Sequence, residues 1–170
     1  MQDKILSVRA LIPSFELPAV NRSTDISPWN YKQHYSLVIF LFHHVTCAAC
    51  REQLLHLSQH HSTYRTYEAE VLAVATCCPS DEVEYLRAFA EQQAIPFPVL
   101  WDEQGQVRCA YLGEQPDRSP VGIFVCDRFG ELYMQSVDSE ADQLPDEPEI
   151  RSWAEFVDMQ CPECFPPAWR

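Results

Sequence analysis

The sequence predicts an α/β domain in which helices pack against a mixed sheet. Three observations carry that prediction. Leu37, Val38, Ile39, Phe40, Leu41 and Phe42 are six consecutive apolar residues, the pattern of a strand buried on both faces at the centre of a parallel sheet. Val71, Leu72, Ala73, Val74 and Ala75 repeat the pattern after an intervening stretch of helical periodicity. Residues 121–126 and 131–134 then flank Asp127, Arg128, Phe129 and Gly130 and read as a β-hairpin.

Taken in order, residues 12–18 read as a short edge strand. Pro13 and Pro18 bracket it, and sheets tolerate proline only at edges and ends. The polar segment around Ser27, Pro28 and Trp29 is a loop or a helical turn leading into the buried strand. Thr46 is the expected N-cap of the first helix, which puts Cys47 in its first turn. Cys47, Cys50, Leu54, Leu57, His61 and Tyr64 then share one helical face, with His56 and His60 on the other side. Asp81 with Glu84 forms a capping-box pattern before a helix whose apolar stripe is Val83, Leu86, Ala90 and Ala94. Pro96 and Pro98 end it, ahead of the short apolar stretch 99–101. Residues 105–113 fit a short helix or a strand equally. The last helix covers about 148–160, with Pro148 near its first position and Ile150, Trp153, Phe156 and Val157 on one side. Cys161, Pro162, Glu163 and Cys164 follow in a proline-rich tail.

A chain of 170 residues with 46% apolar content suits one domain over 1–170, ending in the helix and tail from about 148. No run reaches the ~20 apolar residues that span a bilayer. The first residues show neither the basic nor the apolar region of a signal peptide. A cytoplasmic setting is therefore expected, where a disulfide is transient rather than structural. A net charge of −13 argues against nucleic acid and anionic membrane as partners. Asp138, Glu140, Asp142, Asp146, Glu147 and Glu149 fall together without a base among them and read as a solvated loop.

The chemistry lies in the cysteines. There are eight, at 47, 50, 77, 78, 109, 126, 161 and 164, and six of the eight form close pairs. Cys47 and Cys50, at the junction of a buried strand and a helix, carry the spacing of a redox dithiol. A thiol attacks only as thiolate, and the first turn of a helix supplies unpaired N–H groups and a favourable dipole. His43 and His44 could add positive charge when protonated, although a plain strand-end loop also accounts for them. His56 and His60 have metal-ligand spacing but read as an exposed polar face. Cys109 and Cys126 read as core or near-core packing.

The order strand, helix, strand, helix, hairpin, helix resembles the thioredoxin-like redoxins, especially the branch of alkyl hydroperoxide reductase and thiol-specific antioxidant proteins (AhpC/TSA). The resemblance covers nearly the whole chain. It rests on Pro13, Ser14, Phe15, Glu16 and Leu17, the strand leading to Cys47 and Cys50, residues 71–75, and the hairpin through Phe124, Asp127 and Gly130. It implies the thioredoxin fold, a three-layer α/β/α sandwich around a mixed central sheet. It also implies a thiol–disulfide oxidoreductase or a thiol-dependent peroxide reductase in redox homeostasis. No organic cofactor is implied. The partners implied are a thioredoxin-like or small-thiol reductant and a disulfide or hydroperoxide substrate, with a homodimer as one allowed assembly.

The resemblance assigns roles in two ways. On the thioredoxin pattern Cys47 is the exposed nucleophile and Cys50 the buried resolving thiol. Thr46 then stands where a Trp is usual, Ala48 and Ala49 replace Gly-Pro, and Pro120 sits near the fold's cis-proline, where a disulfide substrate docks. On the peroxiredoxin pattern the place of Cys50 is peroxidatic. Cys47 and His43 then replace the Thr or Ser and the Pro that precede it, and Val121 replaces the activating Arg.

The fold's topology also sorts the other pairs. Strands 37–42 and 71–75 are expected as parallel neighbours ending at one pole, which brings Cys77 and Cys78 near Cys47 as a relay, or else as buried packing. The last helix runs ~20 Å away from that pole, so Cys161 and Cys164 are expected at the opposite end unless the tail returns. There they are a second redox pair, a local staple or part of a metal site. The alternative to catalysis is a thioredoxin-fold metal-binding or interaction protein, with zinc on Cys47, Cys50, Cys161 and Cys164.

Overall fold

The computed structural model describes residues 6–114 and 119–160. Five strands form one sheet: β1 (Ser36–Phe42), β2 (Ala69–Ala75), β3 (Val99–Trp101), β4 (Val121–Cys126) and β5 (Leu132–Asp138), in the order β3-β2-β1-β4-β5. β1, β2 and β3 are parallel, while β4 and β5 run antiparallel to their neighbours. The sheet is thus mixed, with the most apolar strand at its centre. Every residue of β1 and β2 is buried, as continuous rather than alternating apolar runs require.

Helices α1 (Ala48–Gln59), α2 (His61–Thr66), α3 (Val83–Gln92) and α5 (Glu147–Asp158) share one core with Val38, Phe40 and Phe42 of β1. The other face, through Leu37, Ile39 and Leu41, packs on α4 (Gln106–Leu112) and on Phe15 and Leu17. This is the expected three-layer arrangement. Among the described residues no helix is long and apolar enough to cross a membrane.

Several local expectations are corrected. Residues 12–18 are not an edge strand. They form a strap under the sheet, tied by single bridges from Leu11 to Glu131 beside β5 and from Ala19 to Leu100 of β3. The prolines suit that role, because a strap needs few ladder hydrogen bonds. The first helix breaks at His60, whose φ/ψ of −107°/11° leaves helical space, so His61 and Tyr64 belong to α2. Asp81 and Glu84 make no capping box: a 3₁₀ turn (Ser80–Glu82) occupies that place, and α3 starts without a side-chain cap. Residues 105–113 are a helix between two positive-φ glycines, Gly105 at 68° and Gly113 at 76°, conformations that glycine adopts without a Cβ penalty.

The acidic run is not one solvated loop. The Asp146 side chain caps α5 by accepting the Glu149 N–H at 3.0 Å. Glu147 is 3% exposed and accepts from the Tyr64 hydroxyl at 3.1 Å, with Arg151 and His60 nearby. A buried carboxylate survives only with such partners.

Candidate active site

β1 ends at Phe42, and the chain turns through 43–47 into α1. The Cys47 N–H donates to the His44 carbonyl at 3.1 Å, and Arg51 braces the turn by donating to the Val45 carbonyl at 3.1 Å. Val45 is fully buried, which anchors the turn, whereas Thr46 is exposed. The helix cap lies one residue later than expected. Cys47, not Thr46, has the extended N-cap conformation (φ −76°, ψ 115°), and its Sγ accepts the Cys50 N–H at 3.4 Å. The sulfur thus sits over the open donors of the first helical turn, where negative charge is favoured.

Cys47 is half-buried, and Cys50, within the same turn of helix, is 0% exposed in the core. Burial pushes the Cys50 thiol up to about 12, helped by its hydrogen bond with Cys47, while backbone contacts from His43 and His44 act in the opposite sense. One thiol is within reach of a substrate. The other is closed to solvent.

A ring nitrogen of His43 and the two sulfurs lie within 4.8 Å of one another, the only such group of three metal-capable side chains among the described residues. The position of His43 comes from strand register. β4 pairs antiparallel with β1, Leu41 opposite Gly122, so the chain just before β4 returns beside the end of β1. There His43 Nε2 hydrogen-bonds the Ser119 carbonyl. Pro120 is buried next to it, and the bond preceding it is trans.

The adjacent histidines diverge. His44, expected to add charge near Cys47, is 4% exposed and belongs to another neighbourhood. Its Nε2 lies 2.9 Å from Glu82 Oε2 without hydrogen-bond alignment, and its ring meets Tyr85 edge-on at 6.0 Å. The Ser119 carbonyl is the site component that sequence reasoning missed. A backbone carbonyl carries no side-chain signal, and only the β1–β4 register could have pointed to it.

Cys77 and Cys78 do lie at the same pole. Beyond the end of β2 the Cys77 N–H donates to the His43 carbonyl at 2.9 Å. Neither sulfur joins the group of His43, Cys47 and Cys50, whose ligand atoms all lie within 4.8 Å of one another. Cys77 Sγ is 3.7 Å from Thr76 Oγ1. Cys78 is buried, with Sγ 3.6 Å from the Pro79 carbonyl, and its thiol is pushed up to about 11 by burial and then by Glu82 and Asp81.

Cys126 is core, but Cys109 is exposed on α4, against the packing expected of it, because Val107, Tyr111 and Leu112 make the inward face. His60 is held by Glu147 and Arg151 rather than paired with His56. Cys161 and Cys164, and with them the four-cysteine metal alternative, lie outside the described residues. The last residue before them, Gln160, shares a cleft with Ser36 and Glu68 at the pole opposite Cys47.

Residues 8–134 match the AhpC/TSA family. No curated protein sequence matches the chain. Among solved structures, a protein assigned as thiol:disulfide interchange protein DsbE of Chlorobium tepidum is 17% identical, with TM-score 0.69 over 91% of this chain and 99% of that one. Peroxidoxin BcpB of Mycobacterium tuberculosis is 18% identical, with TM-score 0.70 over 91% and 98%. The yeast mitochondrial 1-Cys peroxiredoxin is 12% identical, with TM-score 0.74 over 98% and 84%. At these identities the likeness is one of fold.

Proposed function

The chain belongs to the AhpC/TSA family, and from that footing we propose that it is a thiol–disulfide oxidoreductase in which Cys47 attacks and Cys50 resolves. Thiol-dependent redox chemistry comes with the family. The choice of exchange over peroxide reduction rests on one observation: the half-buried Cys47 caps a helix while Cys50, close behind it, is sealed in the core.

In the first step the Cys47 thiolate attacks one sulfur of a substrate disulfide. A mixed disulfide forms and the other substrate sulfur leaves as thiolate. Cys50 then loses its proton, attacks Cys47 Sγ and expels the second substrate thiolate. The product is a Cys47–Cys50 disulfide and two substrate thiols. Two electrons have passed to the substrate, and an external dithiol or two small thiols return them. His43, with a ring nitrogen within 4.8 Å of both sulfurs, is placed to take the Cys50 proton through one water. The Cys50 thiol, held at about 12 by burial first, needs such help in the resolving step.

Peroxide reduction fits these residues less well. A peroxide must reach the attacking sulfur and have its charge met. The position that the peroxiredoxin pattern makes peroxidatic is the fully buried Cys50, and the place of the activating Arg is the buried, apolar Val121. The test is turnover of an insulin disulfide and of hydrogen peroxide by wild type and by Cys47→Ser. Disulfide reduction that disappears in Cys47→Ser supports the reading. Peroxide turnover equal to or above disulfide turnover, or activity that survives the substitution, overturns it.

A further inference from the structure

We infer that His43, Cys47 and Cys50 form a three-ligand site for a thiophilic d¹⁰ cation, of which zinc is the test ion, occupied when the dithiol is reduced. The inference goes beyond the exchange reaction and does not depend on it. It differs from a four-cysteine site in placing a histidine at the pole of β1 in the coordination sphere.

The geometry is close to what zinc needs. Tetrahedral sulfur and imidazole ligands at ordinary bond lengths stand about 3.6–3.8 Å apart. The three ligand atoms here already lie within 4.8 Å of one another, so side-chain rotation of about an ångström closes the site. The donor set, two thiols and an imidazole, is the one that selects zinc and monovalent copper over magnesium or calcium.

The surroundings of His43 supply a second observation. Its Nε2 is hydrogen-bonded to the Ser119 carbonyl. A carbonyl only accepts, so the nitrogen carries the proton, and the neutral ring has its lone pair on Nδ1. Metal-bound histidines are oriented in this manner, by donation of the other N–H to a carbonyl or carboxylate. The cross-strand register that places Ser119 there thus favours the tautomer that leaves Nδ1 free to ligate.

The charges balance. Binding replaces two S–H bonds by two metal–sulfur bonds and releases two protons, and no electrons move. Two thiolates and a divalent ion sum to zero, so the cost of a bare thiolate at the sealed Cys50 is removed. His43 and Cys47 are half-buried, which leaves the fourth position to water or an exogenous thiol. The occupied site has no free attacking sulfur. Once the ion leaves, the freed dithiol reduces a disulfide substrate to two thiols, and the Cys47–Cys50 disulfide that forms has no thiolate left to rebind the ion.

The experiment titrates Zn²⁺ alone into the reduced, chelator-stripped full chain against a chromophoric chelator, with Co²⁺ as a spectroscopic substitute. The expected result is about one ion per chain and the thiolate-to-cobalt and d–d bands of tetrahedral sulfur–nitrogen ligation. Zinc should also protect Cys47 from alkylation. His43→Ala should weaken binding at least ~10-fold and alter the cobalt bands. Cys77→Ser should leave both unchanged, and the oxidised chain should not bind. Because Cys50→Ser alters the core, the half-buried His43 is the deciding position, with circular dichroism to show that the variant is folded. Absence of saturable binding overturns the site. So does binding unchanged in His43→Ala, or binding lost in Cys161→Ser/Cys164→Ser but kept in His43→Ala.

Discussion

Two cysteine pairs stand at the ends of two adjacent parallel strands, and they are not equivalent. Cys47 and Cys50 come after β1, and Cys77 and Cys78 after β2. Their backbones are close enough for Cys77 to donate to the His43 carbonyl at 2.9 Å. The two strands lead into different elements. β1 runs into the N-terminus of the twelve-residue helix α1, so that Cys47 Sγ meets a backbone N–H. β2 runs into a 3₁₀ turn that carries Asp81 and Glu82, whose charges reinforce burial in pushing the Cys78 thiol up to about 11. A shared pole therefore does not confer shared reactivity. Burial, and then the donors and charges within the next few residues, give each thiol its own surroundings.

That contrast can be broken most decisively by activity. Cys47→Ser is expected to lower disulfide-reductase turnover at least ~1000-fold, whereas Cys77→Ser and Cys78→Ser change it by no more than ~2-fold. Equal losses in an insulin-reduction assay would make the second pair an obligatory relay. Next in size is alkylation. In a mass-spectrometric map at pH 8, iodoacetamide should modify Cys47 ~100-fold faster than Cys50 or Cys78, which are buried thiols pushed up to about 12 and about 11. Their modification should climb with pH, because raised values leave the unreactive thiol dominant until pH approaches them. Early labelling of Cys78 contradicts the contrast.

A smaller effect isolates the charge component. Asp81→Asn with Glu82→Gln removes two negative neighbours and should bring the Cys78 thiol down, raising its alkylation at pH 9 by ~3-fold. Burial, the larger cause, remains, so a rate equal to that of Cys47 is not expected. The smallest effect concerns stability. Sulfur is a poor acceptor, so Cys47→Ser should keep or raise stability, by up to about 1 kcal/mol, while Cys47→Ala lowers it by about as much. Thermal melts read this directly. A large loss in Cys47→Ser would mean that its inactivity reports misfolding instead of chemistry.

The legibility of the fold varied with how local its causes were. The runs at 37–42 and 71–75 and the hairpin at 121–134 were readable because burial on both faces and turn chemistry leave continuous marks in the chain. Residues 12–18 were misread as an edge strand, since prolines at a strand margin and prolines in a strap look alike until the second sheet edge is in place. The acidic residues 138–149 looked solvated because nothing near them in sequence announces Tyr64, the distant donor to Glu147. Thr46 outranked Cys47 as a cap on intrinsic preference alone. The buried Val45 and the Arg51 brace decided the phase of the helix otherwise.

By itself, then, the sequence determined that a dithiol would sit where a buried parallel strand meets a helix. Periodicity and spacing are properties of the chain and survive without knowledge of its partners. Only the tertiary structure decided which neighbours that dithiol has. The antiparallel register of β4 brought the Ser119 carbonyl to His43, the 3₁₀ turn before α3 set Glu82 beside His44, and core packing closed over Cys50 while leaving Cys47 half-open. Each of these depends on contacts between residues far apart in the chain, and desolvation and hydrogen-bond geometry, which set the chemistry of a thiol, exist only once those contacts are made.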